Sequence, residues 1–197
     1  MLHKIPEGGV VVRYFSIEYM FFRIYCRAND QHGLNIMKVL YICTHNRCRS
    51  ILSEAVTNHS GDGVIEAASA GSSPVDQVHP LSIKYLQARG IATEGLKSQS
   101  WDDLESFEPD VVVTVCDRAA NESCPVWFGK AVKQHWGLKD PSSMEGTDEE
   151  IEAAFHHTID LIEARVNKLK AVANRVDVSD VDALRATLAE LAAESED

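Results

Sequence analysis

KVLYICTHNRCRSILSEAV, residues 38–56, decides the fold. Its first five residues are a short β-branched and aromatic apolar run, which reads as a strand. From Arg49 onward the apolar residues Ile51, Leu52, Ala55 and Val56 recur at helical spacing until Gly61 and Gly63 stop them. Between strand and helix lies a polar loop that opens on Cys43 and closes on Arg49. A thiol so placed sees the positive end of a helix dipole and a nest of backbone N–H groups, the setting in which cysteine is a thiolate nucleophile at neutral pH. Arg49 adds a planar fork of donors matched to two oxygens of a tetrahedral oxyanion.

The same alternation continues on both sides. Upstream, residues 1–36 have apolar content without a clean period, interrupted by Arg13, Glu18 and Arg23. They read as an N-terminal extension to which the sequence assigns no role. Two readings fit: Met37 as the natural start, or a partly helical extension covering an apolar patch. Downstream, VIEAASAG (64–71) reads as a second strand, and HPLSIKYLQARGI (79–91), with Pro80 in a first-turn position and Gly90 as a stop, as a second helix. WDDLESF (101–107) reads as a short third helix. DVVVTVC (110–116) is a strand continuous enough to be buried on both faces, and VKQHWG (132–137) a shorter one. Thr147 and Glu150 form a capping box for a long helix with the stripe Ile151, Phe155, Ile159, Ile162, Val166 and Leu169. In the last segment Ser179 is the expected cap of an amphipathic helix carrying Val181, Leu184, Leu188 and Leu191 on one face. The expected organisation is therefore an extension 1–36, a domain 37–175 and an acidic amphipathic C-terminal helix 176–197. Strands alternating with helices imply an α/β fold, a mostly parallel sheet with helices on both faces and ligands at the carboxyl ends of the strands. Cys43, Cys116 and Asp140 each lie just beyond a strand.

Composition narrows the partners. The formal net charge is −11, from 30 acids against 19 lysines and arginines, without the clustered cations that neutralising a nucleic acid takes. The tail 177–197 holds seven acids against Arg185, so it supplies −6 of that charge. No stretch approaches the roughly 18 apolar residues of a membrane span. Five unevenly placed cysteines, Cys26, Cys43, Cys48, Cys116 and Cys124, do not make a disulfide framework in a chain of 197 residues. A cytoplasmic protein with redox or metal thiols is the expectation.

The segments VLYICTHNRCRSILSEA, SAGS, VVVTVCDRAANESCPV and HWGLKDP, in this order over about residues 37–170, resemble the arsenate reductases that share the low-molecular-weight tyrosine phosphatase fold. The resemblance implies a flavodoxin-like, four-stranded parallel sheet and an oxidoreductase that reduces arsenate to arsenite in arsenic detoxification. It implies that Cys43 attacks arsenate, and that Thr44, His45, Asn46, Arg47, Cys48, Arg49 and Ser50 bind the oxyanion, a site phosphate or sulfate also fits. In the same scheme Ser50 hydrogen-bonds the thiolate and Asp140 protonates the leaving oxygen. Reduction takes two electrons, the number released when two thiols become one disulfide. Cys116 would attack Cys43 to expel arsenite, and Cys124 would take over the bond. Cys48 reads as structural or as a partner that traps Cys43 on oxidation.

The partners so implied are arsenate and an external thiol reductant, thioredoxin or glutaredoxin with glutathione. No tightly bound cofactor is expected. Asn46, Glu54 and Ser69 match positions that bind a monovalent cation in some relatives. Three departures stand out: His45 and Arg47 replace small residues in the anion loop, and seven residues separate Cys116 from Cys124, one more than in thioredoxin-linked relatives. The alternative is a low-molecular-weight tyrosine phosphatase, against which the cysteine pair speaks. So does Ser142-Ser143, which stands where phosphotyrosine enzymes of this type carry aromatics.

Overall fold

The computed structural model describes residues 36–120 and 125–193, all within one unit, Asn35–Asp197. The extension expected over 1–36 lies, but for Ile36, outside the described residues, as does Cys124. Four strands, β1 (Met37–Cys43), β2 (Ile65–Gly71), β3 (Val111–Thr114) and β4 (Val132–His135), form a parallel sheet in the order β2-β1-β3-β4. The helices are α1 (Arg49–Ser60), α2 (Pro80–Ala88), the single turn α3 (Asp117–Ala120), α4 (Asp148–Ala173) and α5 (Val181–Ala193). Each strand stands where its apolar run is, and WDDLESF forms a 3-10 helix capped by a Ser100–Asp103 box.

The sheet is covered on both faces. In the central β1, Val39, Leu40, Tyr41 and Ile42 are all buried although they point alternately to opposite sides. Tyr41 hydrogen-bonds Thr57 of α1 at 2.9 Å and packs on Trp136, over which Arg165 of α4 lies. Burial pushes the Tyr41 phenol well above its ordinary pKa. The capping box at Thr147 and Glu150 starts α4 as the sequence implies, and Phe155, Ile159, Ile162, Val166 and Leu169 bury its stripe.

The C-terminal helix departs from expectation in one respect. Its first turn is capped by Asp180, whose Oδ1 accepts the Ala183 N–H at 3.0 Å. Ser179 instead donates its hydroxyl and its N–H to Asp177. Both residue types suit the position, and the turn at Asp177–Asp180, closed by Asp180 N–H to the Asp177 carbonyl, decides between them. Val178, Leu184 and Leu188 are buried in the main core, so α5 is packed onto the domain. No described helix is long and apolar enough to cross a membrane.

Candidate active site

Cys43 is the last residue of β1 and Arg49 the first of α1, so the five residues between them must reverse the chain in one tight curl. Asn46 makes this possible by adopting φ 45°, a left-handed conformation that asparagine tolerates better than most residues. Its N–H then points inward and donates to the Cys43 sulfur at 3.1 Å. Gly71, at the end of β2, lies directly behind the curl, where a Cβ would come within 2.6 Å of the Thr44 carbonyl.

A buried polar chain runs from the thiol into the core. The Ser50 hydroxyl is 3.0 Å from the Cys43 sulfur, and the Asn46 amide donates to both Ser50 and Ser69 at 2.9 Å. The Ser69 hydroxyl donates to Glu54 at 2.6 Å. The orientation of the Asn46 amide is fixed because its oxygen accepts the Gln99 N–H at 2.8 Å. Ser50 therefore accepts from Asn46 and has its own proton free to donate to the sulfur.

Asn46, Glu54 and Ser69, the candidate cation ligands, thus converge. Their oxygens already have protein donors: Gln99 N–H on Asn46, the Ser69 hydroxyl on Glu54, and the Gln99 side-chain amide on the Ser69 carbonyl at 3.0 Å. These three are the residues that would hold a monovalent cation, and no step is routed through one. Among the described residues no group of three His, Cys, Asp or Glu side chains is arranged to hold a metal.

Burial, opposed by the Ser69 hydroxyl and by Lys97, raises the Glu54 pKa from 4.5 to about 7. Below pH 4.5 both folded and unfolded states are protonated. As pH climbs to 7 the unfolded chain has lost its proton while the folded one retains it, so stability falls across this window and stays low above it. Glu54→Gln keeps an acceptor for Ser69 without the charge. Urea unfolding is expected to show it about 1–3 kcal/mol more stable than wild type at pH 8 and equal near pH 4.5. Parallel stability curves across that range would refute the assignment.

The rim of the cradle is formed by three other segments. Arg49 donates to the Leu138 carbonyl at 3.2 Å and pairs with Asp140 at 3.0 Å. The other Asp140 oxygen accepts the N–H and hydroxyl of Ser142, capping a 3-10 turn over Pro141–Ser143. Cys116 follows β3 at the start of α3, its sulfur accepting the Ala119 N–H at 3.4 Å and facing the Thr44 hydroxyl at 3.8 Å. Cys43, Cys116, Arg49 and Asp140 all line one cleft of about 330 Å³, together with Thr44, His45, Arg47 and Cys48. The structure thus brings together every described residue expected at the site. Cys48 is buried, and desolvation, aided by the nearby Asp140 charge, pushes its thiol up to about 12.

Sequence reasoning missed the strap 98–100 behind the loop. The Ser98 hydroxyl donates to the His45 carbonyl at 3.2 Å, Gln99 binds Asn46 and Ser69, and Gly71 donates to the Gln99 carbonyl. It missed His79 as well, whose ring caps α2 by accepting the Leu81 N–H and whose pKa is lowered by burial and by Arg47. A Ser-Gln-Ser run carries no local signal of such a role. The His-Pro pair at 79–80 did, since a side-chain acceptor before a first-turn proline is a cap.

Residues 38–179 match the family model described as low molecular weight phosphotyrosine protein phosphatase. An arsenate reductase from Halalkalibacterium halodurans is 32% identical over 133 residues, covering 68% of this chain and 94% of that one. A glutaredoxin arsenate reductase from Synechocystis sp. is 31% identical over 104 residues, 53% of this chain and 78% of its own. Among solved structures, an arsenate reductase in the phosphate binding state superposes with a TM-score of 0.58 at 26% identity, covering 68% of this chain and 97% of that one. By the extent of the match and the cradle it encloses, the chain belongs to the low molecular weight phosphotyrosine protein phosphatase family, where it groups with arsenate reductases.

Proposed function

We propose that the protein reduces arsenate to arsenite by a thiol relay that starts at Cys43, passes through Cys116 and ends at Cys124, and so detoxifies arsenic in a reducing cytoplasm. The observation that carries this reading is the second thiol: Cys116 lines the Cys43 cleft and is held against Thr44, the residue next to the nucleophile. A phosphatase has no use for it.

Arsenate enters with its oxygens on the loop N–H groups and on Arg49. The Cys43 thiolate attacks arsenic, and the displaced oxygen leaves as water with a proton from Asp140. Cys116 then attacks the Cys43 sulfur. The electron pair of the sulfur–arsenic bond stays on arsenic, which departs as arsenite, and a Cys43–Cys116 disulfide is left. Cys124 attacks Cys116 next, freeing Cys43 and leaving a Cys116–Cys124 disulfide for the external reductant. Two thiols lose two electrons and arsenic gains two. Thioredoxin, or glutaredoxin with glutathione, fits as that reductant.

Supplying arsenate to the full chain with either recycling system, and an aryl phosphate in parallel, tests the reading. Arsenite release coupled to reductant oxidation, with slow or no aryl phosphate hydrolysis, is the expected result. Hydrolysis of the ester without arsenite formation would make the protein a phosphatase.

A further inference from the structure

The cleft carries more positive charge than one oxyanion cradle uses. Of its two acids, Asp140 is paired with Arg49 at 3.0 Å and Asp117 with His135 at 3.3 Å. Arg47 and Arg118 line the same cleft, and among the described residues neither has a carboxylate partner. The Arg47 Nε is buried without a hydrogen-bond acceptor. In a chain with 30 acids and 19 lysines and arginines, two guanidiniums at one cleft without a carboxylate partner among the described residues run against the composition. Arg47 belongs to the anion loop, whereas Arg118 is on α3, two residues beyond Cys116. The volume, about 330 Å³, exceeds what a single tetrahedral oxyanion fills and falls in the range that takes a small organic molecule.

We propose that Arg47 and Arg118 form a second anion subsite in the cleft, and that its ligand is the carboxylate of a small anionic thiol whose sulfur reaches Cys116, the sulfur shared by both relay disulfides. Guanidinium forks bind carboxylates in two-point fashion, which would hold the thiol with its sulfur toward the cysteines. The thiolate attacks one sulfur of the disulfide, forming a mixed disulfide and releasing the other cysteine. A second thiol attacks the mixed disulfide, releasing the small-molecule disulfide and the second cysteine. Two thiols are oxidised, one protein disulfide is reduced, and the two thiol protons end on the two cysteines. The disulfide rests on the relay proposed above; the anion subsite does not.

Two measurements on the full-length protein separate these parts. In the first, the reduced protein is alkylated with iodoacetate and with iodoacetamide, and the rate ratio at Cys43 is read by peptide mass. Arg118→Gln is expected to lower the anionic-to-neutral ratio about tenfold, Arg118→Lys to restore most of it, and added salt to erode it in wild type. An unchanged ratio in Arg118→Gln would overturn the subsite whatever the protein's activity.

In the second, protein oxidised by one round of arsenate is reduced with 3-mercaptopropionate, 2-mercaptoethanol or cysteamine. The anionic thiol is expected to be favoured in wild type, with that preference reduced in Arg118→Gln. Equal selectivity in the two proteins would overturn the thiol as ligand. Failure of arsenate to generate any disulfide would overturn the relay and, with it, the thiol, while leaving the alkylation ratio to decide the subsite.

Discussion

Cys116→Ser is expected to lower steady-state arsenate reduction by at least about a thousandfold, the scale of loss when a covalent participant is removed. The serine hydroxyl has nearly the same shape as the thiol and can still meet Thr44, so the cleft should survive. It has no two-electron couple with Cys43. The variant should form the Cys43 adduct with arsenate and stop there. Mass spectrometry of wild type exposed to arsenate without reductant should show the loss of two hydrogens as a disulfide forms, and the variant should show none. Alkylation of Cys43 by iodoacetamide should proceed in both. Turnover of arsenate by Cys116→Ser at the wild-type rate would eliminate the relay.

The two ends of that relay were unequally visible in the sequence. Cys43 and Arg49 could be paired because a single local unit, strand then loop then helix, fixes both, and hydrophobic periodicity reports local units well. Cys116 and Asp140 could be brought to the same edge because a parallel sheet collects the carboxyl ends of its strands. What periodicity does not carry is the meeting of side chains from distant segments. Gln99 reaches Asn46 and Ser69 across 53 and 30 residues of sequence, and Thr44 reaches Cys116 across 72. Each contact depends on how two loops lie over one another, for which polar residues in turns give no pattern.

The polar chain behind Cys43 was half legible for the same reason. Ser50, Asn46, Glu54 and Ser69 could be named from the resemblance. Their order, with Asn46 joining Ser50 to Ser69, follows only from the left-handed turn at residue 46 that swings its amide inward. At the C-terminus, apolar spacing located α5 correctly, whereas the choice between Ser179 and Asp180 as cap turned on the local path of the chain.

Asp140→Asn is expected to lower kcat for arsenate reduction by about a hundred- to ten-thousandfold, the range for loss of a positioned general acid. Asparagine keeps the size of the side chain and an oxygen that can accept the Ser142 N–H, so the turn over Pro141–Ser143 remains capped. It cannot supply the proton that the displaced oxygen needs. Without bound anion, the Asp140 carboxylate holds Arg49 at 3.0 Å. An incoming oxyanion must compete for that guanidinium, and as Arg49 turns to it, Asp140 is left beside the bound anion, within reach of the oxygen that is displaced. The same competition predicts an opposite effect on binding. With no carboxylate to draw Arg49 away or repel the ligand, Asp140→Asn should bind inorganic phosphate at least as tightly as wild type, measured by calorimetry at constant ionic strength. A lowered kcat with weakened phosphate binding would mean that Asp140 serves to position Arg49 in the cradle; unchanged kcat would remove it from the chemistry altogether.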